Sequence, residues 1–216
     1  MGLSMVVEVT GFTGMAFLIA RSGATAVAGH QIAVNLVSLM YMLPLAIANA
    51  SGTLVAQRIG AGDAAGAQRL GWHSIAIGAG AGGAFGLAAY LGRDLITRAY
   101  TDNPVILAAA VPLLTWVALF HFADATQAVT AFVLRAYRIV TVPLIVNTVA
   151  LWGVGIGGGY LIAFDRSGRV PAELLAAPGF WAAATLALVV AALSLLALQV
   201  QTFRRHERQR SLAMLT

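Results

Sequence analysis

The 216 residues are 60% hydrophobic and 10% charged, with a mean hydropathy of +0.85, and apolar runs of the length seen here exclude an ordinary soluble domain. The chain has no cysteine, so disulfide frameworks and thiolate metal sites are unavailable to it. Its basic residues are all arginines, 13 against 8 acids, giving a net charge of +5; they scatter over the breaks between apolar stretches and the tail, a pattern that speaks for membrane topology rather than a nucleic-acid partner.

A hydrocarbon core about 30 Å thick needs roughly 20 helical residues. Stretches of this kind run over 2–20, 26–57, 71–92, 104–134, 140–163 and 179–202. They predict an all-α integral membrane protein: a six-transmembrane-helix bundle over 1–203, followed by a basic cytoplasmic tail at 204–216. The second and fourth stretches exceed a simple span, and Pro44 gives the second a reason to bend. The breaks between them hold no soluble domain.

If alternate breaks share a side, Arg58, Arg69, Arg135, Arg138, Arg204, Arg205, Arg208 and Arg210 gather on one face of the membrane. Arg21, Arg93, Arg98, Arg166 and Arg169 fall on the other, offset there by Asp94, Asp102, Asp165 and Glu173. Arginine excess marks the cytoplasmic side, so a multi-pass chain with both termini in the cytoplasm is predicted. The first stretch lacks the basic leader of a signal peptide and is kept as a span.

Two acids, Glu8 and Asp124, lie inside apolar stretches. A carboxylate at membrane depth is costly unless it faces water, a partner or an ion, which makes both functional candidates. A glutamine or asparagine would have supplied packing hydrogen bonds at lower desolvation cost. At 100° per residue, Gln31, Asn35, Ser38, Met42 and Asn49 form one stripe of the second helix, with Tyr41 on a neighbouring face. His121, Asp124 and Gln127 cluster on one side of the fourth, while Glu8 shares a face with Ser4, Phe12 and Met15. Three helices thus present polar atoms to a common interior, although interhelical hydrogen bonding accounts equally well for Ser38, Asn49 and Gln127.

Carboxylates, an amide carbonyl and a phenol are hard oxygen ligands for an alkali cation, and a desolvated carboxylate also suits proton exchange. The chain thus reads as an ion-coupled membrane transporter, or part of one, whose coupling ion is Na+ or H+, with no other metal and no cofactor expected. His121 reads first as a hydrogen-bond partner of Asp124, and His30 as structural. Gln31, Phe12, Met42, Gln127 and His121 are candidates for lining a substrate cavity.

Other signals are weaker. The glycines at Gly78, Gly80, Gly82, Gly83 and Gly86 lack a P-loop lysine and lie in a span. Gly78, Gly82 and Gly86 make successive GxxxG steps suited to close helix packing. Asn49 to Ser51 matches a glycosylation acceptor, but within a predicted span. The arginines from Arg204 to Arg210 suit an anchor on anionic lipid.

Several ordered motifs go further: A-G-H-Q-I-A-V-N at Ala28 to Asn35, Y-M-L-P at Tyr41 to Pro44, R-I-G-A-G-D at Arg58 to Asp63 and V-V-E-V-T-G-F at Val6 to Phe12. F-A-D-A-T-Q at Phe122 to Gln127, V-L-R-A-Y at Val133 to Tyr137 and P-G-F-W at Pro178 to Trp181 complete the set. Together they resemble the C-terminal half, spans seven to twelve, of a NorM-type multidrug and toxic compound extrusion (MATE) transporter. The resemblance implies a lobe of a twelve-span protein of the bacterial inner membrane that exports organic cations or other drugs in exchange for Na+ or H+. It also implies that Glu8 and Asp124 serve the cation site, supported by Asn35 and Tyr41. Phe120 stands where some relatives carry tyrosine, Gly157 replaces a common proline, and Ala136 replaces the usual glycine after the arginine.

Met1 falls where the family's seventh span is already under way, so a first lobe is expected from a missing part of the chain, a separate chain or a second copy in a homodimer. The competing reading is a non-transporting membrane subunit or scaffold. An intramembrane enzyme built on His121 and Asp124 lacks a further catalytic group, so no enzymatic activity is expected.

Overall fold

The computed structural model describes residues 2–165 and 167–213, with side chains from Val6 to Arg205 apart from residue 166. The expectations placed on Met1, Arg166 and Thr216, and on the side chains of Ser4, Arg208 and Arg210, lie outside the described residues.

The chain is helical almost throughout. Helix α1 spans Gly2–Ala20, α2 Ala24–Gly60, α3 Ala64–Leu91, α4 Arg93–Tyr100 and α5 Pro104–Ala136. A composite span follows, made of α6 (Thr141–Thr148), a π-helical segment (Val149–Gly158) and α7 (Gly159–Ala163). A 3-10 turn at Ala172–Leu174 leads into α8, Ala177–Ala213. Among the described residues, α2, α3, α5, the composite span and α8 are long and apolar enough to cross a bilayer, and the described part of α1 adds a shorter apolar stretch, Val6–Ala20. This is the six-helix membrane bundle that the sequence predicts.

Three details differ from the prediction. The short amphipathic helix α4 occupies a break read as loop, with Thr97 buried and Leu95 exposed. The fifth span is not one α-helix, because its middle holds glycines at Gly153, Gly155, Gly157 and Gly158. Without Cβ atoms this stretch has little to hold it to α geometry, and it adopts the wider π turn. Helix α8 continues past Phe203 to Ala213, so no break in the helix marks the start of the basic tail.

Local chemistry explains where the helices begin and end. Asp63 caps α3 by accepting from the Gly66 amide at 2.8 Å, and also pairs with Arg58 Nη1 at 2.9 Å. These contacts hold its carboxyl below the ordinary carboxylate range, the Gly66 amide first and then Arg58. Asn103 caps α5 through the Val105 amide at 2.9 Å, with Pro104 in the first turn. The α5–α6 turn passes through Arg138 at a positive φ of 64°.

Helix α5 is the centre of the bundle, packing on α2, α3, α4 and α8. Its seam with α3 is built on the GxxxG steps. A Cβ at Gly78 would lie 2.5 Å from Val129 Cγ2, one at Gly82 2.5 Å from Ala125 Cβ, and one at Gly86 2.7 Å from the Ala118 carbonyl oxygen. Close backbone approach is what such a seam contributes in lipid, where no hydrophobic force drives helices together. Large apolar side chains such as Phe17, Leu39, Leu161 and Leu193 are instead exposed on the outside of the bundle.

Candidate functional site

A cavity of about 400 Å³ lies between α1, α2, α5, the α6 span and α8. Helix α1 contributes Glu8, Phe12 and Thr13; α2 contributes Ser38, Tyr41 and Met42; α5 contributes Phe120, Asp124 and Gln127. The fifth span adds Asn147 and Leu151, and α8 adds only apolar side chains. Both intramembrane carboxylates therefore share one space, together with a phenol, two hydroxyls and two amides.

The helical phases explain the convergence. Glu8 and Phe12 are one turn apart on α1, as are Phe120 and Asp124 on α5. In both helices the aromatic lies on the same side of its acid, because α1 and α5 run in opposite directions across the membrane. Phe12 and Phe120 meet edge to face at 6.3 Å, and Phe120 meets the fully buried Trp181 at 5.3 Å. Trp181 donates its indole N–H to Nδ1 of the buried His30 at 3.2 Å. Phe12 and Phe120 line the cavity with Trp181 packed behind them, and the bond from Trp181 gives His30 the structural part read from the sequence. On the α1–α2 side the wall is open, with Val9 and Met42 each 56% exposed.

Ser38 and Met42 of the polar stripe reach the cavity, as does Tyr41 from the neighbouring face, but Gln31, Asn35 and Asn49 do not line it. Asn35 Oδ1 accepts from the Tyr100 hydroxyl at 2.8 Å, tying α2 to α4. Asn49 turns back to the Leu45 carbonyl of its own helix at 2.8 Å, and Gln31 is exposed. His121 is fully buried outside the lining. It faces the Met40 carbonyl short of hydrogen-bonding geometry, and its ring nitrogens have no partner among the described residues. That carbonyl is the one Pro44 deprives of its helical donor. Among the described residues no group of three or more His, Cys, Asp or Glu side chains could hold a metal ion, so any cation here would rest on two carboxylates and neutral oxygens.

Asn147 escaped sequence reasoning. It is an amide in an otherwise apolar span, the signal that singled out Asn35, and its Oδ1 is buried without a partner among the described residues.

Fold and cavity together define a polytopic α-helical membrane protein with ionisable groups in an internal cleft. Residues 1–161 match the MatE family, and the chain belongs to it. It is 36% identical over 191 residues to the probable multidrug resistance protein NorM of Aromatoleum aromaticum, covering 88% of this chain and 41% of that one. The corresponding protein of Chromobacterium violaceum is 36% identical over 195 residues, with 90% and 41% covered. Among solved structures, the eukaryotic MATE transporter AtDTX14 superposes with a TM-score of 0.76 at 20% identity, covering 91% of this chain and 44% of that one. A MOP superfamily transporter from Pyrococcus furiosus gives 0.74 at 19% identity, with 89% and 41% covered. At such identities the structural likeness is one of fold. The chain spans less than half the length of these relatives.

Proposed function

We propose that this chain forms one lobe of a multidrug efflux antiporter of the bacterial inner membrane, exporting organic cations or other drugs in exchange for Na+ or H+. One observation carries the reading: Glu8 and Asp124, from different apolar helices, line a single cavity in a chain of the MatE family. Phe12, Met42 and Phe120 give that cavity apolar surface beside its charges, as a lipophilic cation requires. Tyr41 supports the cation from α2. Transport by alternating access needs two bundles around a site between them, and the open α1–α2 side offers a surface for the second. A further lobe, or a second copy of this one, completes the cleft.

The test uses Glu8→Gln and Asp124→Asn in the completed transporter. Each swap keeps shape and removes charge, so both variants should insert normally yet fail to confer drug resistance on cells lacking other pumps. Full resistance from both would make the acids structural and end this reading. The competing reading is a non-transporting membrane subunit or scaffold. In a scaffold, these substitutions would alter assembly with a partner and leave no export to lose.

A further inference from the structure

Asn147 is a polar group of the cavity to which the antiport reading assigns no task. It lines the space beside Ala150 and Leu151, on a face of the span set one helical turn apart. Its Oδ1 is buried and unpartnered among the described residues. Native proteins rarely leave a buried amide oxygen unpaired unless something else satisfies it. Gln127, 5% exposed and lining the same cavity, likewise makes no side-chain hydrogen bond among the described residues.

The packing of α1 fixes where Asn147 sits relative to Glu8. Gly11 lets Leu151 press onto α1, since a Cβ at Gly11 would stand 2.5 Å from Leu151 Cδ2. Glu8 lies three residues before Gly11 and Asn147 four before Leu151. Because spans alternate in direction, α1 and α6 run the same way across the membrane. Both side chains therefore depart from positions roughly 5 Å along the axis from one contact, on the same side of it.

We propose that Asn147 Oδ1 is a neutral ligand of an alkali cation bound between Glu8 and Asp124. The proposal rests on the antiport reading and extends it by one ligand, Asn147. A hard amide oxygen suits Na+, whereas an amide accepts no proton near neutral pH and would do nothing for proton exchange.

The experiment measures 22Na+ binding to the protein in nanodiscs, with Asn147→Leu removing the oxygen at similar volume and Asn147→Asp restoring one. Asn147→Leu should weaken Na+ binding about tenfold or more, the scale on which loss of a supporting group acts at metal sites. Asn147→Asp should hold or exceed the parent's affinity, which also guards against a variant that fails to fold. Equal Na+ affinity in the Leu variant, with binding still abolished by Glu8→Gln, overturns the Asn147 assignment and leaves the antiport reading intact. Proton-driven export with no 22Na+ binding by the parent overturns it too, again without touching the acids. Binding and export that survive both Glu8→Gln and Asp124→Asn would instead sink the antiport reading.

Discussion

Asn35 shows how one side chain can be given two tasks by two kinds of argument. Family resemblance implies a part in cation binding, whereas the structure places its Oδ1 on the Tyr100 hydroxyl and outside the cavity lining. The two tasks predict different mutational behaviour. If Asn35 acts as the strut between α2 and α4, Tyr100→Phe should reproduce the effect of Asn35→Ala, and the double variant should be no worse than either. An exposed neutral hydrogen bond of this kind contributes about 0.5–1.5 kcal/mol. A double-mutant cycle on thermal stability in detergent measures it. A direct role in the ion site would appear as an export defect in Asn35→Ala that Tyr100→Phe does not share. The helical wheel could not tell these apart, because it reports angle and not depth. Gln31 to Asn49 share one stripe, yet the cavity touches α2 only from Val34 to Met42.

Among the elements, glycine was legible where it makes a seam and illegible where it loosens a helix. The GxxxG steps of α3 announced close packing, and Gly78, Gly82 and Gly86 do lie against α5. Gly82→Ala should therefore cost about 1–3 kcal/mol, the usual penalty of overpacking, read as a lowered thermal midpoint. Gly80→Ala, whose added Cβ would meet nothing within 4 Å, is the matched control and should change little. The π turn of Val149–Gly158 left no comparable mark, because glycines permit it without specifying it. A second element-scale expectation concerns the loop after α7. Asp165 accepts from the Ser167 hydroxyl and amide at 2.6 and 2.8 Å and from the Arg169 and Val170 amides at 3.0 and 2.9 Å. These bonds, the Ser167 hydroxyl foremost, hold its carboxyl at about 2, below the ordinary 3.8. A depressed folded value means the loop's stabilisation is complete above about pH 4 and is lost as pH falls toward 2. Amide exchange at Arg169 and Val170 should accelerate across that window, and Asp165→Asn should remove the pH dependence.

At the scale of the whole molecule, six spans and two intramembrane acids were readable because lipid leaves so few solutions: backbone groups must pair within a helix, and a charge must find an interior. What the sequence did not show is which side of that interior stays open. Phe12 and Phe120 line the cavity, and it stands open between α1 and α2, where Val9, Thr13, Ser38 and Met42 are exposed. In a lone lobe these polar atoms would meet lipid or a makeshift partner. Expressed by itself, the chain should then insert, with a tag after Thr216 and a tag near Ser167 on opposite sides of the membrane, but should not drive export. Co-expression with a matching N-terminal lobe should restore ion-dependent efflux in proteoliposomes. Cross-linking the chain at defined stoichiometry separates the outcomes: transport by a homodimer would mean that a second copy supplies the missing wall, whereas robust ion-dependent transport by a monomer would show that six helices suffice and that the open α1–α2 face needs no partner.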